Sequence, residues 1–363
     1  WFTILLGTEA NIHFLMPAVM IGAFYYFPYS LKRTMFLIIG FSLVVFIFLE
    51  VWFLYHSPIL IFPETVMPIV ILYVDFAFCV TVFGFMLHGY LIFHDSEQEL
   101  NTKNDQLNQS NQKIIGSIEY AQRIQSSLLP SPAYIKQLIP QNFIIWHPRD
   151  IVGGDVYYLG RFDNGFLISL IDCTGHGVPG AFMTMLASSS LRRITLDEKC
   201  LNPSDILKRL NTMVKTSLQQ DMDHVRSDDG LDASVCFVNT AEGSLTFAGA
   251  RLPLTYIHNG TVRTLKGDRH SIGYKSSNLS YEFTNHRIQI EDGMVFYLYT
   301  DGVFDQLGGK KRMSFGRKRL TKLLLDAYGK SFDQQRDLII QTFEEYRGKN
   351  EIQDDVSLIG FSV

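Results

Sequence analysis

Along residues 1–94 apolar positions run almost unbroken. Three stretches, 10–28, 34–56 and 68–93, each approach or exceed the roughly 20 residues that a helix needs to cross a bilayer core. The pattern predicts about three transmembrane helices. The block is too long for a secretory signal, and no basic leader precedes it. Its only basic pair, Lys32 and Arg33, lies between the first two spans, and the loop 56–65 has none. By the positive-inside rule the first loop is cytoplasmic and the third span delivers the chain to the cytoplasm at His94. Glu50 and Asp75 fall within spans. Such a carboxylate either sits at an interface or pairs inside a bundle, or it marks a sensing site. The chain opens on Trp1 and not Met, which leaves room for further spans upstream.

From Asp95 to Leu129 the composition turns to Gln, Asn, Ser, Lys and Glu, with Leu100, Leu107, Ile114, Ala121 and Leu128 spaced by seven. That spacing predicts a coiled-coil seam and a parallel homodimer. The complementary positions Asn104, Asn111, Ile118 and Gln125 are mostly polar, so the seam is weak, and a polar spacer helix is the alternative. Pro130 and Pro132 are expected to end the helix.

Short strand-like runs follow at 143–146, 166–171, 234–238, 244–247, 254–257, 295–299 and 356–361, interrupted by helical patterns over 180–217 and 315–347. The order is strands, helices, strands, helices, strand, which predicts an α+β fold with antiparallel sheets. The expected domains are therefore a membrane segment at 1–94, a helical linker at 95–130 and an output domain at 131–363.

The net charge of −4 over 363 residues gives no global positive field and argues against nucleic acid. The four cysteines, Cys79, Cys173, Cys200 and Cys236, are too scattered for a C-x-x-C zinc or redox site. The informative residues are aspartates that abut apolar strands: Asp155 after a glycine pair, Asp172 at a strand end, Asp301 before a glycine, and Asp354 with Asp355 ahead of the last strand. Each alone reads as a turn. Together they can converge on one rim, where unbalanced carboxylates repel and a divalent cation resolves the conflict. An all-oxygen set suits Mg²⁺ or Mn²⁺ and not zinc, and no EF-hand spacing occurs. Gly175 to Gly180 matches G-x-G-x-x-G, with Asp197 near the ribose-binding distance. A dinucleotide unit needs a parallel strand after that helix, and a second helix begins instead near Asn202 and Ser204.

The segments Val152-Gly-Gly-Asp155, Asp172-Cys-Thr-Gly-His-Gly-Val-Pro-Gly-Ala181, Gly249-Ala-Arg-Leu-Pro253, Tyr299-Thr-Asp-Gly-Val303 and Asp354-Asp-Val-Ser357 resemble, in order and spacing, the sporulation-E-type branch of the bacterial metal-dependent protein phosphatases. The likeness covers about residues 120–363. It implies an αββα sandwich of two antiparallel sheets that hydrolyses phosphoserine or phosphothreonine, with two Mn²⁺ or Mg²⁺ ions activating water for in-line attack. Carried over residue by residue, Asp155, Asp301 and Asp354 are ligands, Asp172 bridges both ions, and Cys173 offers its backbone carbonyl instead of a nucleophilic thiol. Arg149 is a candidate for holding the substrate phosphate, with a salt bridge to Asp150 as the alternative. His176 either serves the leaving group or shapes its loop. Asp232 opens a strand and reads as a turn or cap there instead of a ligand. The stretch 118–130 resembles the helix through which this branch links sensor to catalyst.

The resulting expectation is a multi-pass protein of the bacterial inner membrane with a cytoplasmic phosphatase domain. Its partner would be a small phosphorylated regulator such as an anti-sigma-factor antagonist. The alternatives are a non-catalytic scaffold with the same fold and a membrane nucleotide cyclase.

Overall fold

The computed structural model describes residues 65–222 and 227–363, together with Val44, Phe48 and Tyr55. It divides into two compact units, Trp1–Gln112 and Lys113–Val363. Helix α1, Met67–Leu128, contributes to both. The expected spans 10–28 and 34–56 lie outside the described residues, apart from Val44, Phe48 and Tyr55. The third falls on α1, where Ile69, Leu72, Phe76, Phe83, Tyr90 and Phe93 are exposed. Among the described residues, no helix is long and apolar enough to cross a membrane. Of the heptad positions, Leu100, Leu107 and Ile114 are exposed, whereas Ala121 and Leu128 are half-buried and Gln125 is fully buried. The repeat is thus not one uniform seam, because its last turns are spent on the chain's own second unit.

In that unit Pro132 does not stop a helix but starts one. Helix α2, Pro132–Leu138, has Ser131 as its N-cap, the hydroxyl accepting from the Tyr134 N–H at 3.2 Å. Strands β1 (Asn142–His147), β2 (Asp155–Phe162) and β3 (Gly165–Cys173) lead into helix α3 (Gly177–Arg192), a π-helical turn (Arg193–Asp197) and helix α4 (Pro203–Ser217). Strands β4 (Leu231–Asn239), β5 (Ser244–Ala250), β6 (Leu254–His258), β7 (Thr261–Leu265), β8 (His286–Gln289) and β9 (Val295–Tyr299) follow. The short helix α5 (Gly302–Asp305), the hairpin β10 (Leu307–Gly308) with β11 (Met313–Ser314), helices α6 (Arg317–Ala327) and α7 (Phe332–Arg347), and strand β12 (Val356–Phe361) complete the unit.

The strands form two five-stranded antiparallel sheets, ordered β1-β12-β9-β6-β7 and β2-β3-β4-β5-β8. In β3 the run Gly165-Phe-Leu-Ile-Ser-Leu-Ile-Asp-Cys173 is apolar on both faces because both faces are covered. Phe166, Ile168 and Leu170 meet Phe296, Leu298 and Phe361 between the sheets. Leu167 and Ile171 join the layer of Met183, Leu191, Leu207 and Val214 from α3 and α4. On the far side Tyr297, Tyr299 and Leu358 pack on Leu320, Leu324, Ile339 and Phe343 from α6 and α7. Each such fully buried side chain contributes about 1.5–3 kcal/mol, so the layering follows from two-sided burial of the strands. The α+β sandwich of two antiparallel sheets is the fold that the resemblance implied. Between sheet one and α6–α7 lies an apolar cavity of about 310 Å³, lined in part by Trp146, Phe315, Leu323, Phe343 and Val356.

Candidate active site

Strand pairing assembles the aspartates. Asp155 opens β2 opposite Asp172 at the end of β3, and Asp172 stands opposite Asp232 in β4. At the same end of sheet one, Asp301 follows β9 and Asp354 precedes β12, the strand hydrogen-bonded to β9. Asp172 is pushed well above the usual carboxylate range by burial first. The charges of Asp155, Asp301, Asp354 and Asp232 then add to the rise. Those neighbours come from both sheets, so the sandwich does bring the sequence-predicted carboxylates together.

Each position has its own support. Asp155 is also held well above the carboxylate range, chiefly by burial, and its Oδ2 accepts from Thr300 Oγ1 at 2.8 Å. Thr300 in turn exchanges hydrogen bonds with the Ser357 backbone, its N–H donating at 3.1 Å and its Oγ1 accepting at 3.2 Å. This threonine therefore joins β9 and β12 to an aspartate of the other sheet. The Asp301 carboxyl is pushed up to about 6, by burial and then by Asp354, Asp305 and Asp232. Burial, followed by the charges of Asp172, Asp155 and Asp355, raises the Cys173 thiol far above its ordinary value, which leaves it inert as a nucleophile. Gly154 lets its loop lie against the carbonyls after β3, since a Cβ there would stand 2.9 Å from Cys173 O.

Three further residues organise this loop. Asp355 is buried and accepts from the Arg149 N–H at 2.7 Å and the Gly154 N–H at 2.5 Å. Trp146 donates its indole N–H to the Asp155 carbonyl at 3.0 Å. Gln125, 2% exposed, donates to Gly153 O at 2.7 Å and to Thr184 Oγ1 at 2.9 Å, and its Oε1 accepts from the Gly153 N–H at 3.3 Å. The only sequence signal for Gln125 was a polar residue at a seam position, which is better explained by this docking.

The remaining candidates resolve individually. Arg149 is exposed and donates from its guanidinium to Gln353 O at 3.1 Å, while Asp150 pairs with His176, whose Nδ1 donates to Asp150 Oδ2 at 2.6 Å. The salt bridge considered between Arg149 and Asp150 is replaced by that pair. Asp232 lies at the opening of strand β4, as expected. Its Oδ1 is buried and has no hydrogen-bond partner among the described residues. Around Gly175–Gly180, helix α3 is followed by the π-helical turn and α4, and no pair of strands within the two sheets is parallel, so no dinucleotide unit forms.

The donor set fits a hard divalent cation. It consists of aspartates from both sheets that raise one another's affinity for protons, and it includes an orphaned carboxylate oxygen on Asp232. Among the described residues no group of three or more His, Cys, Asp or Glu is drawn together closely enough to hold an ion, so the carboxylates border the rim without closing on one point.

The sequence profile of the family described as Stage II sporulation protein E (SpoIIE) matches residues 163–363. The chain belongs to the SpoIIE family. It is also similar in structure to the SiaA-PP2C domain of Pseudomonas aeruginosa, with 32% identity, a TM-score of 0.63, and coverage of 70% of this chain and 98% of that one. A more distant likeness is to the PP2C phosphatase domain and regulatory-domain fragment of SpoIIE from Bacillus subtilis, at 16% identity and a TM-score of 0.47, covering 61% of this chain and 62% of that one. None of the curated proteins compared matches the chain. Membership of the SpoIIE family makes the second unit a PP2C-type phosphatase domain and supports serine/threonine phosphatase activity. The cyclase alternative is thereby set aside.

Proposed function

We propose that this SpoIIE-family chain is a metal-dependent protein phosphatase that removes phosphate from phosphoserine or phosphothreonine on a signalling partner, with activity set through α1. The observation that carries the reading is the pressure that burial and neighbouring carboxylates put on Asp155, Asp172 and Asp301, which divalent cations relieve. Asp155, Asp301 and Asp354 would hold two Mn²⁺ or Mg²⁺ ions, Asp172 would contact both, and the Cys173 carbonyl would complete the set. When bound, such ions polarise phosphoryl oxygens and activate the attacking water. Arg149, tethered at Gln353 O, orients the substrate phosphate. His176 gives a proton to the departing seryl or threonyl oxygen, its ring held by Asp150.

Gln125 supports regulation through α1, since any shift of the helix end is felt at Gly153, two residues before Asp155. The exposed Leu100, Leu107 and Ile114 support a dimer along the helix. The exposed apolar side chains from Ile69 to Phe93, with the sequence of residues 1–94, support attachment to the bacterial inner membrane. By family analogy, the partner is a small phosphorylated regulator such as an anti-sigma-factor antagonist.

The test is phosphate release by the full chain from an aryl phosphate and a phosphoserine peptide, with Mn²⁺, with chelator, and with Asp301→Asn. Turnover that needs Mn²⁺ and vanishes in the variant is expected. Absence of both turnover and Mn²⁺ binding overturns the reading and leaves a non-catalytic scaffold.

A further inference from the structure

Beside the negative rim lies a cavity of opposite character. It has a volume of about 310 Å³ and is lined by Arg251, Arg269, His270, Ser271, Tyr274 and Ser276, among others. In a chain of net charge −4, two guanidiniums sharing one cavity is a local departure that the carboxylate chemistry does not use.

The fold builds this pair deliberately. Arg251 takes a left-handed conformation, φ 61°, just after β5, and is held there by its N–H donating to Asp268 O at 2.8 Å. Asp268 N–H returns a bond to Gly249 O at 2.7 Å, so the segment bearing Arg269 is stitched beside the turn bearing Arg251. Gly249 and Gly267 make the approach possible, since a Cβ on Gly249 would stand 2.9 Å from the Gly267 Cα. The nearest carboxylate in sequence, Asp268, is occupied elsewhere: its two oxygens accept from the Thr284 N–H at 2.6 Å and the Thr284 hydroxyl at 3.2 Å. Among the described residues neither Arg251 nor Arg269 forms an ion pair. His270 is fixed by stacking on Tyr281, and its Nε2 accepts from the Asn278 N–H at 3.1 Å, which leaves Nδ1 to carry the ring proton of the neutral form.

The cavity borders the rim through shared residues. Tyr274 OH bonds to Thr174 Oγ1 at 2.7 Å, two residues past Asp172. The bridge between Leu231 and Ile272 sets Ser271 beside Asp232, whose carboxyl also feels the charge of Arg251. A group of donors with planar guanidiniums suits a carboxylate or a phosphate equally, because both present paired oxygens.

We propose that this cavity is a second anion subsite, which receives an acidic side chain or a second phosphate flanking the scissile phosphoserine of the partner. The proposal rests on the phosphatase reading. It gives the substrate class an added mark: a phosphoprotein whose target serine is followed or preceded closely by another anion, aligned by the negative rim on one side of Asp232 and the positive cavity on the other.

The experiment measures fluorescence anisotropy of three labelled peptides on the full chain, in Mn²⁺ and in chelator. The scissile phosphate is replaced by a methylenephosphonate that cannot be hydrolysed, and the flanks are neutral, doubly glutamate, or bear a second phosphonate. The added anion should tighten binding about tenfold, and the pair Arg251→Gln with Arg269→Gln should erase that difference. Tightening by glutamate as well as phosphonate names an acidic flank, and tightening by phosphonate alone names a second phosphorylation. Equal binding of all three peptides by the unsubstituted chain overturns the proposal. So does an equal loss for all three in the variant, which would assign the arginines to the scissile phosphate. Arg269→Gln alone leaves the strained turn intact and should remove at least a threefold part of the difference. Aryl phosphate turnover by the unsubstituted chain reports on the phosphatase reading separately. Absence of that turnover and of Mn²⁺ binding, alongside a preserved anisotropy difference, would sink that reading and leave the anion cavity standing.

Discussion

The two sheets supply their carboxylates on different terms. Asp155 and Asp172 belong to sheet two, lie opposite each other within a hydrogen-bonded ladder, and are backed by the close packing of α3 and α4. Asp301 and Asp354 belong to the sheet-one side and stand exposed beyond the strand ends, each next to a buried residue, Thr300 and Asp355. One set is fixed in place and carries the electrostatic cost of being so. The other presents its carboxyls to solvent at the rim. On the proposed reading, a site for a small hard cation gains from that asymmetry, because the ladder pair is preorganised and the exposed pair faces the incoming ion.

The sharpest way to break the comparison is to remove a fixed member. Asp172→Asn should lower phosphate release by roughly 10³-fold, about 4 kcal/mol of barrier, while raising the melting temperature in chelator because a buried like charge has gone. Unchanged turnover would show that the rim is not the reacting centre. Next in size, Gln125→Ala unpairs both backbone groups of Gly153 and should weaken Mn²⁺ binding about 10–100-fold by calorimetry, with a stability loss of about 1–3 kcal/mol. Loss of stability without loss of Mn²⁺ affinity would make Gln125 a packing residue only.

The third effect is in pH. Asp155, Asp172 and Asp301 bind protons more tightly folded than unfolded, so in chelator stability should fall as pH rises from about 3.8 through about 6, the raised value at Asp301, and Mn²⁺ should reverse the trend. A melting temperature in chelator that climbs over this window would contradict the placement of these groups. The smallest effect is expected from Trp146→Phe, which removes one hydrogen bond to the Asp155 carbonyl. It should cost about 1 kcal/mol, read as a few degrees in melting temperature.

How much was legible in the sequence follows from where each residue gets its meaning. Strands buried on both faces, such as 166–171 and 356–361, announce themselves by apolar runs, and both are present at nearly the expected limits. The edge strands β7 and β8, Thr261-Val-Arg-Thr-Leu265 and His286-Arg-Ile-Gln289, carry polar residues because an edge is half solvated, and so they left no such signal. Strand β2 was obscured by its own function, since Gly153-Gly-Asp155 reads as a turn although the strand begins at the aspartate. The predicted ligand aspartates were visible as carboxylates abutting strands. Asp232 was visible at a strand opening, but its place opposite Asp172 was not, because cross-strand register is written in no local pattern. For the same reason Gln125 became meaningful only when Gly153, 28 positions away in the chain, closed on it, and the hold of Asp355 on the Gly154 N–H, 201 positions away, shows only in the fold.

Strand β12 lies between β1 and β9 and brings Asp354 with it, which has a consequence for biosynthesis. Strand β1 ends at His147 and its partner begins at Val356, so the 208 residues in between must be translated first. At roughly 5–20 residues per second this is about 10–40 s, during which β1 has no neighbour in its own sheet. Asp155, Asp172 and Asp232 can meet on sheet two well before that, yet the rim stays open until the final strand has left the ribosome. On the proposed function, a chain that stops before residue 354 lacks a carboxylate of the rim and is expected to be an inert product instead of an unregulated enzyme.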